Sequence, residues 1–387
     1  MSEKYPFRIL SLDGGGMRGA LSAKILEQVE QQILEKENKS LTEYFDLVAG
    51  TSTGSILAAG IALGLKASEL FKLYDENGNQ IFSSIKRKLR KLIPGGGGYL
   101  IPFTRYSNQG LKELLQEKLV FSNDLIDRKT DQLPSLLDVE KSPKSPTLLI
   151  LAYNTTGGYT QYFASNAAYK EGGEPEWFTY KSVSDFCLCS SAAPTFFPPY
   201  KLIDSCGREQ NYIDGGVAAN NPDLAAITHA MYTKTRVNSQ EDNSNPALPA
   251  LDLSDISVFS IGTGKVDFSF DYKTVDSWGL VDWANKISDI FLAAPAQFEE
   301  AVTRQLILGL TTHQRYRRVN LNIEALPIDD PGIIKKLVET YKKQKDCIKS
   351  LDFTDMTNKE WKLEDLVNDF IEKNKRDADQ HFKNRFD

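Results

Sequence analysis

With 387 residues, 41% of them hydrophobic and 25% charged, the chain has a globular composition and length for one large α/β domain or two ordinary ones. Its net charge of −6 argues against nucleic acid as the main partner, because a polyanion-binding surface needs an excess of Lys and Arg. No apolar run reaches the ~18 residues of a membrane span, and Met-Ser-Glu-Lys-Tyr-Pro-Phe at the start lacks the pattern of an export signal, so a cytoplasmic location is expected.

Phe7-Arg8-Ile9-Leu10-Ser11-Leu12 predicts an opening strand, and residues 20–34 carry Leu21, Ile25, Leu26, Val29 and Ile33 at helical spacing. Between them lies Asp13-Gly14-Gly15-Gly16-Met17-Arg18-Gly19. Gly14, Gly16 and Gly19 fit the G-x-G-x-x-G dinucleotide fingerprint, which needs a second strand ending in an acid about 20 positions further on. Glu35 and Glu37 fall instead at a helix end, with no strand before them. A second use for such a loop is a nest of backbone N–H groups that receives an oxyanion, with Arg18 adding a cation to anchor loop or substrate. A third is a tight strand–helix turn and nothing more.

Residues 44–57 repeat the arrangement: an apolar run into Val48-Ala49 predicts a buried strand, and residues 55–65 a small-residue helix. Joining them is Gly50-Thr51-Ser52-Thr53-Gly54, a G-x-S-x-G pentapeptide. Turning directly from strand to helix strains the apex residue and stands its side chain at the helix N-terminus, while the flanking glycines let the two backbones approach. Two such turns at the carboxyl ends of parallel strands face one crevice.

Residues 67–74 predict a short helix. From Asn77 to Lys112 the sequence has no Asp or Glu, while Lys86, Arg87, Lys88, Arg90 and Lys91 cluster together. On a helix over residues 81–93 the apolar side chains from Ile81 to Ile93 share one face and those cations the remainder, followed by the run Gly95 to Gly98. One reading is an interfacial helix or lid that meets an anionic membrane surface; the other is a surface helix packed on the core. Residues 122–146 predict a connection with one helical turn, residues 147–153 and 159–164 two strands, and residues 182–189 a short helix before the Pro-punctuated loop Ser190 to Pro199.

Asn211-Tyr212-Ile213-Asp214-Gly215-Gly216 again runs a strand into an acid and glycines, and Asn221-Pro222 signals the start of a helix over residues 223–232. Residues 235–249 predict a loop, residues 257–261 a buried strand, residues 278–305 a helix and residues 316–321 a strand, ahead of a charged helical tail. Cys187, Cys189, Cys206 and Cys347 match no C-x-x-C or zinc spacing, and read as buried reduced thiols.

A serine hydroxyl attacks only when a base takes its proton. The three histidines, His229, His313 and His381, all lie outside the glycine-bounded turns. A carboxylate acting alone is the alternative, and Asp214, at a strand exit beside Gly215 and Gly216, suits it. Asp214 then accepts the Ser52 proton while the Gly14, Gly15 and Gly16 amides receive the oxyanion; the competing reading makes Asp214 a turn cap.

The three motifs in this order resemble the patatin-like phospholipase family, over roughly residues 6–325 and with no departure inside the motifs. The resemblance implies a three-layer α/β/α sandwich with a central mostly parallel sheet. It also implies a Ser-Asp dyad that hydrolyses fatty-acyl esters of membrane glycerolipids, with Ser52 as nucleophile, Asp214 as base and Gly14, Gly15, Gly16 and Arg18 as the oxyanion loop. Gly19, Gly50, Gly54, Gly215 and Gly216 are its motif glycines. Residues 1–330 are expected to form the catalytic domain and 331–387 a helical extension, with no metal or cofactor and a peripheral membrane association. Transfer of the acyl group to an alcohol, or nucleotide binding without hydrolysis, are the competing readings.

Overall fold

The computed structural model describes residues 7–82, 104–123, 125, 132–167, 176–239, 251–266, 270–310 and 315–349. The basic segment 86–91, the glycine run at 95–98, His313 and His381 lie outside them, as do residues 350–387.

Eight strands form one sheet: β1 (Phe7–Leu12), β2 (Leu47–Thr51), β3 (Thr147–Asn154), β4 (Tyr159–Ala164), β5 (Tyr200–Ile203), β6 (Glu209–Asp214), β7 (Ile256–Ile261) and β8 (Tyr316–Val319). Their order is β5-β6-β3-β2-β1-β7-β8, with β4 also on β3. The pairings β3-β2, β2-β1, β1-β7 and β7-β8 are parallel. The helices are α1 (Gly19–Glu37), α2 (Leu41–Tyr44), α3 (Thr53–Ala62), α4 (Ala67–Ile81), α5 (Gln109–Lys118), α6 (Leu136–Lys141), α7 (Val183–Ser190), α8 (Asp223–Ser239), α9 (Tyr272–Asp276), α10 (Leu280–Leu310) and α11 (Ile334–Lys349). None among the described residues is long and apolar enough to cross a membrane.

Side chains of the central strands alternate between two cores, as the two-residue period of a strand requires. Leu10, Leu12, Val48, Leu148 and Ile150 point into a core shared with α1, α3, α4, α5 and α7. Ile9, Leu47, Ala49, Leu149 and Leu151 point the other way, onto Ala226 and Ile227 of α8 and Ile307 of α10. Both faces are therefore covered, which is why these strands read as nearly continuous apolar runs, and the architecture is the expected three-layer α/β/α sandwich. At the start of the expected extension, Ile334, Leu337 and Ile348 of α11 are buried in the first core.

Three local expectations change. Helix α8 runs on to Ser239 through residues read as loop, because Thr235 to Ser239 contain neither Gly nor Pro to stop it. Cys187 and Cys189 are buried, but Cys206 is exposed in the turn joining β5 to β6. Helix α5 and strand β5 are further elements, in stretches for which no element is expected above.

The topology brings the ends of β2 and β6 together. Residues 149–154 of β3 pair with β4 along one edge. The other edge is shared: β2 runs parallel along it as far as Thr51 opposite Leu151, and β6 runs antiparallel from Tyr212 opposite Asn154 to Asp214 opposite Ala152. The carboxyl ends of these two strands thus meet head-on at adjacent rungs of β3.

Candidate active site

Ser52 occupies the gap at that meeting point. The chain leaves β2 at Thr51 and enters α3 at Thr53, and the apex takes φ 54° and ψ −124°, a conformation that costs a non-glycine residue about 1–3 kcal/mol. Several hydrogen bonds hold it there. The Ser52 N–H donates to Ser190 Oγ at 2.8 Å, and that hydroxyl donates onward to the Leu151 carbonyl at 2.5 Å. Ser55 Oγ donates to the Ser52 carbonyl at 2.6 Å. The glycines have steric reasons: a β-carbon on Gly54 would strike the Leu12 carbonyl, one on Gly50 the Gly54 carbonyl, and one on Gly215 the Leu151 carbonyl.

Asp214 faces this apex. Its Oδ2 accepts the Ser52 hydroxyl at 2.6 Å, and its Oδ1 accepts the Gly216 N–H at 2.7 Å. Its own N–H donates to the Ala192 carbonyl at 3.1 Å. Ser52 and Asp214 are 9% and 4% exposed. Burial raises the Asp214 carboxyl to about 6, against the lowering effect of the bonds from Ser52 and Gly216. A carboxylate so placed is ionised at neutral pH, yet basic enough to receive a proton.

The loop after β1 lies against the serine: a β-carbon on Gly14 would come within 3.1 Å of Ser52 Cβ. Most of its amides are engaged. Asp13 N–H donates to Ile261, Met17 N–H to Ile328 and Arg18 N–H to Gly15. Gly14 N–H donates to the Asn220 carbonyl at 3.0 Å, so Gly14, expected among the oxyanion donors, has its donor committed elsewhere. Among the described residues, Gly15 and Gly16 are left without a backbone acceptor; Gly16 has φ 58°. Arg18 is half-buried, with Nε 3.5 Å from the Gly15 carbonyl, and Gly19 opens α1 against Thr53.

Four residues outside the motifs hold the site. Besides Ser190 and Asn220, Thr263 Oγ1 donates to the Gly14 carbonyl at 2.8 Å. Arg318 on β8 grips Asp13 with both terminal nitrogens, and donates to Ser260 Oγ and, through Nε, to Glu300. The pair is almost fully buried. Burial lifts Asp13 to about 6 while Arg318 opposes it, so the carboxylate is ionised and paired at neutral pH. Ser190, Asn220 and Thr263 lie in stretches that share the family resemblance, and Arg318 has a signal of its own: a cation inside the strand-like run Tyr316-Arg317-Arg318-Val319 needs a buried anion.

Other candidates fall away from the site. His229, on α8, has its ring Nε2 2.8 Å from Asn166 Oδ1, and burial lowers it to about 4. The strand after α1 and α2 ends in Thr51, whereas the dinucleotide reading needs an acid there.

The fold and site define a three-layer α/β protein with a Ser–Asp pair at the carboxyl edge of its sheet. A family model, patatin-like phospholipase, matches residues 10–227. Patatin-like protein 1 of Arabidopsis thaliana is 30% identical over 81% of this chain and 73% of its own length. Patatin group J-1 of Solanum tuberosum is 27% identical over 81% and 76%. Among solved structures, VipD from Legionella pneumophila aligns over 89% of this chain and 67% of that one at 14% identity and a TM-score of 0.40. The chain belongs to the patatin-like phospholipase family.

Proposed function

We propose that this protein is a lipid acyl hydrolase that cleaves fatty-acyl esters of membrane glycerolipids with the Ser52–Asp214 dyad. The observation that carries the reading is the 2.6 Å hydrogen bond from Ser52 Oγ to Asp214 Oδ2 on a strained strand–helix turn. Ser52 Oγ attacks the carbonyl carbon as its proton passes to Asp214, and the Gly15 and Gly16 amides take the charge on the carbonyl oxygen. Collapse breaks the ester bond, the departing alkoxide takes the proton from Asp214, and the acyl group remains on Ser52. Water, deprotonated by the same carboxylate, then releases the fatty acid and restores the serine. The family relation supports the choice of lipid esters, and the enzyme acts from the membrane surface.

A fluorophosphonate is expected to label the protein once, with the adduct mapped by mass spectrometry to Ser52 and absent in Ser52→Ala. Labelling that survives this replacement sinks the nucleophile assignment. The pH profile follows from Asp214. Only its ionised form accepts a proton, so kcat/KM for a soluble ester is expected to rise through an apparent pKa of about 6 and level off above it. A rate independent of pH between 5 and 7 (a window of roughly one unit either side) contradicts Asp214 as base.

A further inference from the structure

A cavity of about 370 Å³ borders the loop beside Ser52, and the reaction described above makes no use of it. Its charged lining consists of four cations, Arg18, Lys265, Arg304 and Arg318, and two carboxylates, Asp13 and Glu300. Both carboxylates are held internally: Asp13 by Arg318, and Glu300 by Arg318 Nε at 2.9 Å and Arg304 Nη2 at 3.1 Å. The lining therefore has a surplus of positive charge inside a chain whose net charge is −6. A concave wall with an excess of one sign focuses its field and concentrates ligands of the other. Guanidinium and ammonium groups both bind phosphate, the first with a planar fork and the second as a point charge.

The cavity and the nucleophile meet at Gly14. Asn220 and Thr263 line the cavity and bond the Gly14 carbonyl, and a β-carbon on Gly14 would meet both the Asn220 side chain and Ser52 Cβ. In a glycerophospholipid the phosphorus and the nearer acyl carbonyl are only a few bonds apart, so a lipid whose ester lies over Ser52 carries its phosphate towards this cavity. We propose that the cavity is the head-group site, and that it takes the phosphodiester of a glycerophospholipid with a net negative head group. Lys265 and Arg304 are its selecting cations. A choline head places a second, positive charge among those cations and is disfavoured; a neutral sugar head gains nothing from them. The proposal rests on the hydrolase reading and adds the class of lipid.

The test compares short-chain phosphatidylglycerol and phosphatidylcholine, both below their micellar concentrations so that no charged interface contributes. The full-length wild type is expected to prefer phosphatidylglycerol in kcat/KM by about tenfold, and Lys265→Ala/Arg304→Ala to bring the ratio close to one. Lys342→Ala/Lys343→Ala, which removes the same charge from α11, is expected to keep the wild-type ratio. A wild-type ratio near one, or a ratio unaltered in the cavity variant, overturns the proposal. If the double variant unfolds, Lys265→Gln at the exposed rim serves instead. Binding of the corresponding diether lipids, which no esterase cleaves, separates the two readings. If the wild type hydrolyses neither ester, the hydrolase reading fails, while a phosphatidylglycerol preference in diether binding, lost in the cavity variant, still sustains the head-group site; equal binding overturns it.

Discussion

Replacing Asp214 by Asn is expected to lower turnover of a fatty-acyl ester roughly a thousand- to ten-thousand-fold, with the fold retained. The amide has the carboxylate's shape, so its oxygen still accepts the Gly216 N–H that Asp214 Oδ1 holds at 2.7 Å. Its nitrogen, facing Ser52 Oγ, donates a hydrogen bond and accepts no proton, and the hydroxyl is left without a base. Stability moves the other way. The folded-state carboxyl titrates at about 6, above its ordinary 3.8. Its contribution to stability is therefore fully present below 3.8 and is lost as pH rises through about 6, by an amount on the order of 3 kcal/mol. Asp214→Asn removes that loss, so at pH 8 (roughly two units above the folded value) the variant is expected to melt no lower than the wild type. Kinetics on a p-nitrophenyl ester and a thermal melt decide it: near-normal turnover in a folded variant rules Asp214 out as the base.

The largest expected effect on stability comes from Arg318→Met. The methionine fills similar space but leaves Asp13, 3% exposed, charged and unpaired, and breaking a buried pair from one side costs about 3–5 kcal/mol. The loop feels the change directly, because Asp13 is the residue before Gly14 and its N–H is fixed to Ile261. Removing the arginine raises Asp13 further above the value of about 6 it has in its presence. The penalty is thus greatest where the carboxyl must ionise, shrinks as pH falls from the variant's raised value towards about 6, and is level below that. Adding Asp13→Asn to Arg318→Met is expected to restore much of the lost stability, because the buried Asp13 charge that Arg318 balanced is then gone. Denaturant titrations of both single variants and the double variant measure the coupling. Additive effects in that cycle would mean that the pair does not act as a unit.

Much of the site was legible because its chemistry is local. A strand ending in G-x-S-x-G before a small-residue helix marks Ser52 through the steric demands of one turn, and the same logic marks the loop at 13–19 and the exit at Asp214. Elements with a full strand or helix period were legible for the same reason. Strand β5 was not, since four residues are too few to show a period, whereas Leu111, Leu114 and Leu115 do give α5 helical spacing over its ten residues. The membrane-facing reading of residues 81–93 stays a proposal, most of that segment lying outside the described residues.

Neighbouring residues alone were enough to single out Ser52 and Asp214 as the proposed reactive pair, together with the glycines around them and the α/β class. Which groups meet them depends on the folded chain. It brought β2 and β6 end to end on β3, committed the Gly14 amide to Asn220, pinned the Ser52 N–H on Ser190 and paired Asp13 with Arg318 across 305 positions. The reason is physical. Periodicity and turn chemistry depend on backbone geometry within a few residues, whereas a hydrogen bond between distant segments forms only where sheet order and packing bring donor and acceptor within about 3 Å.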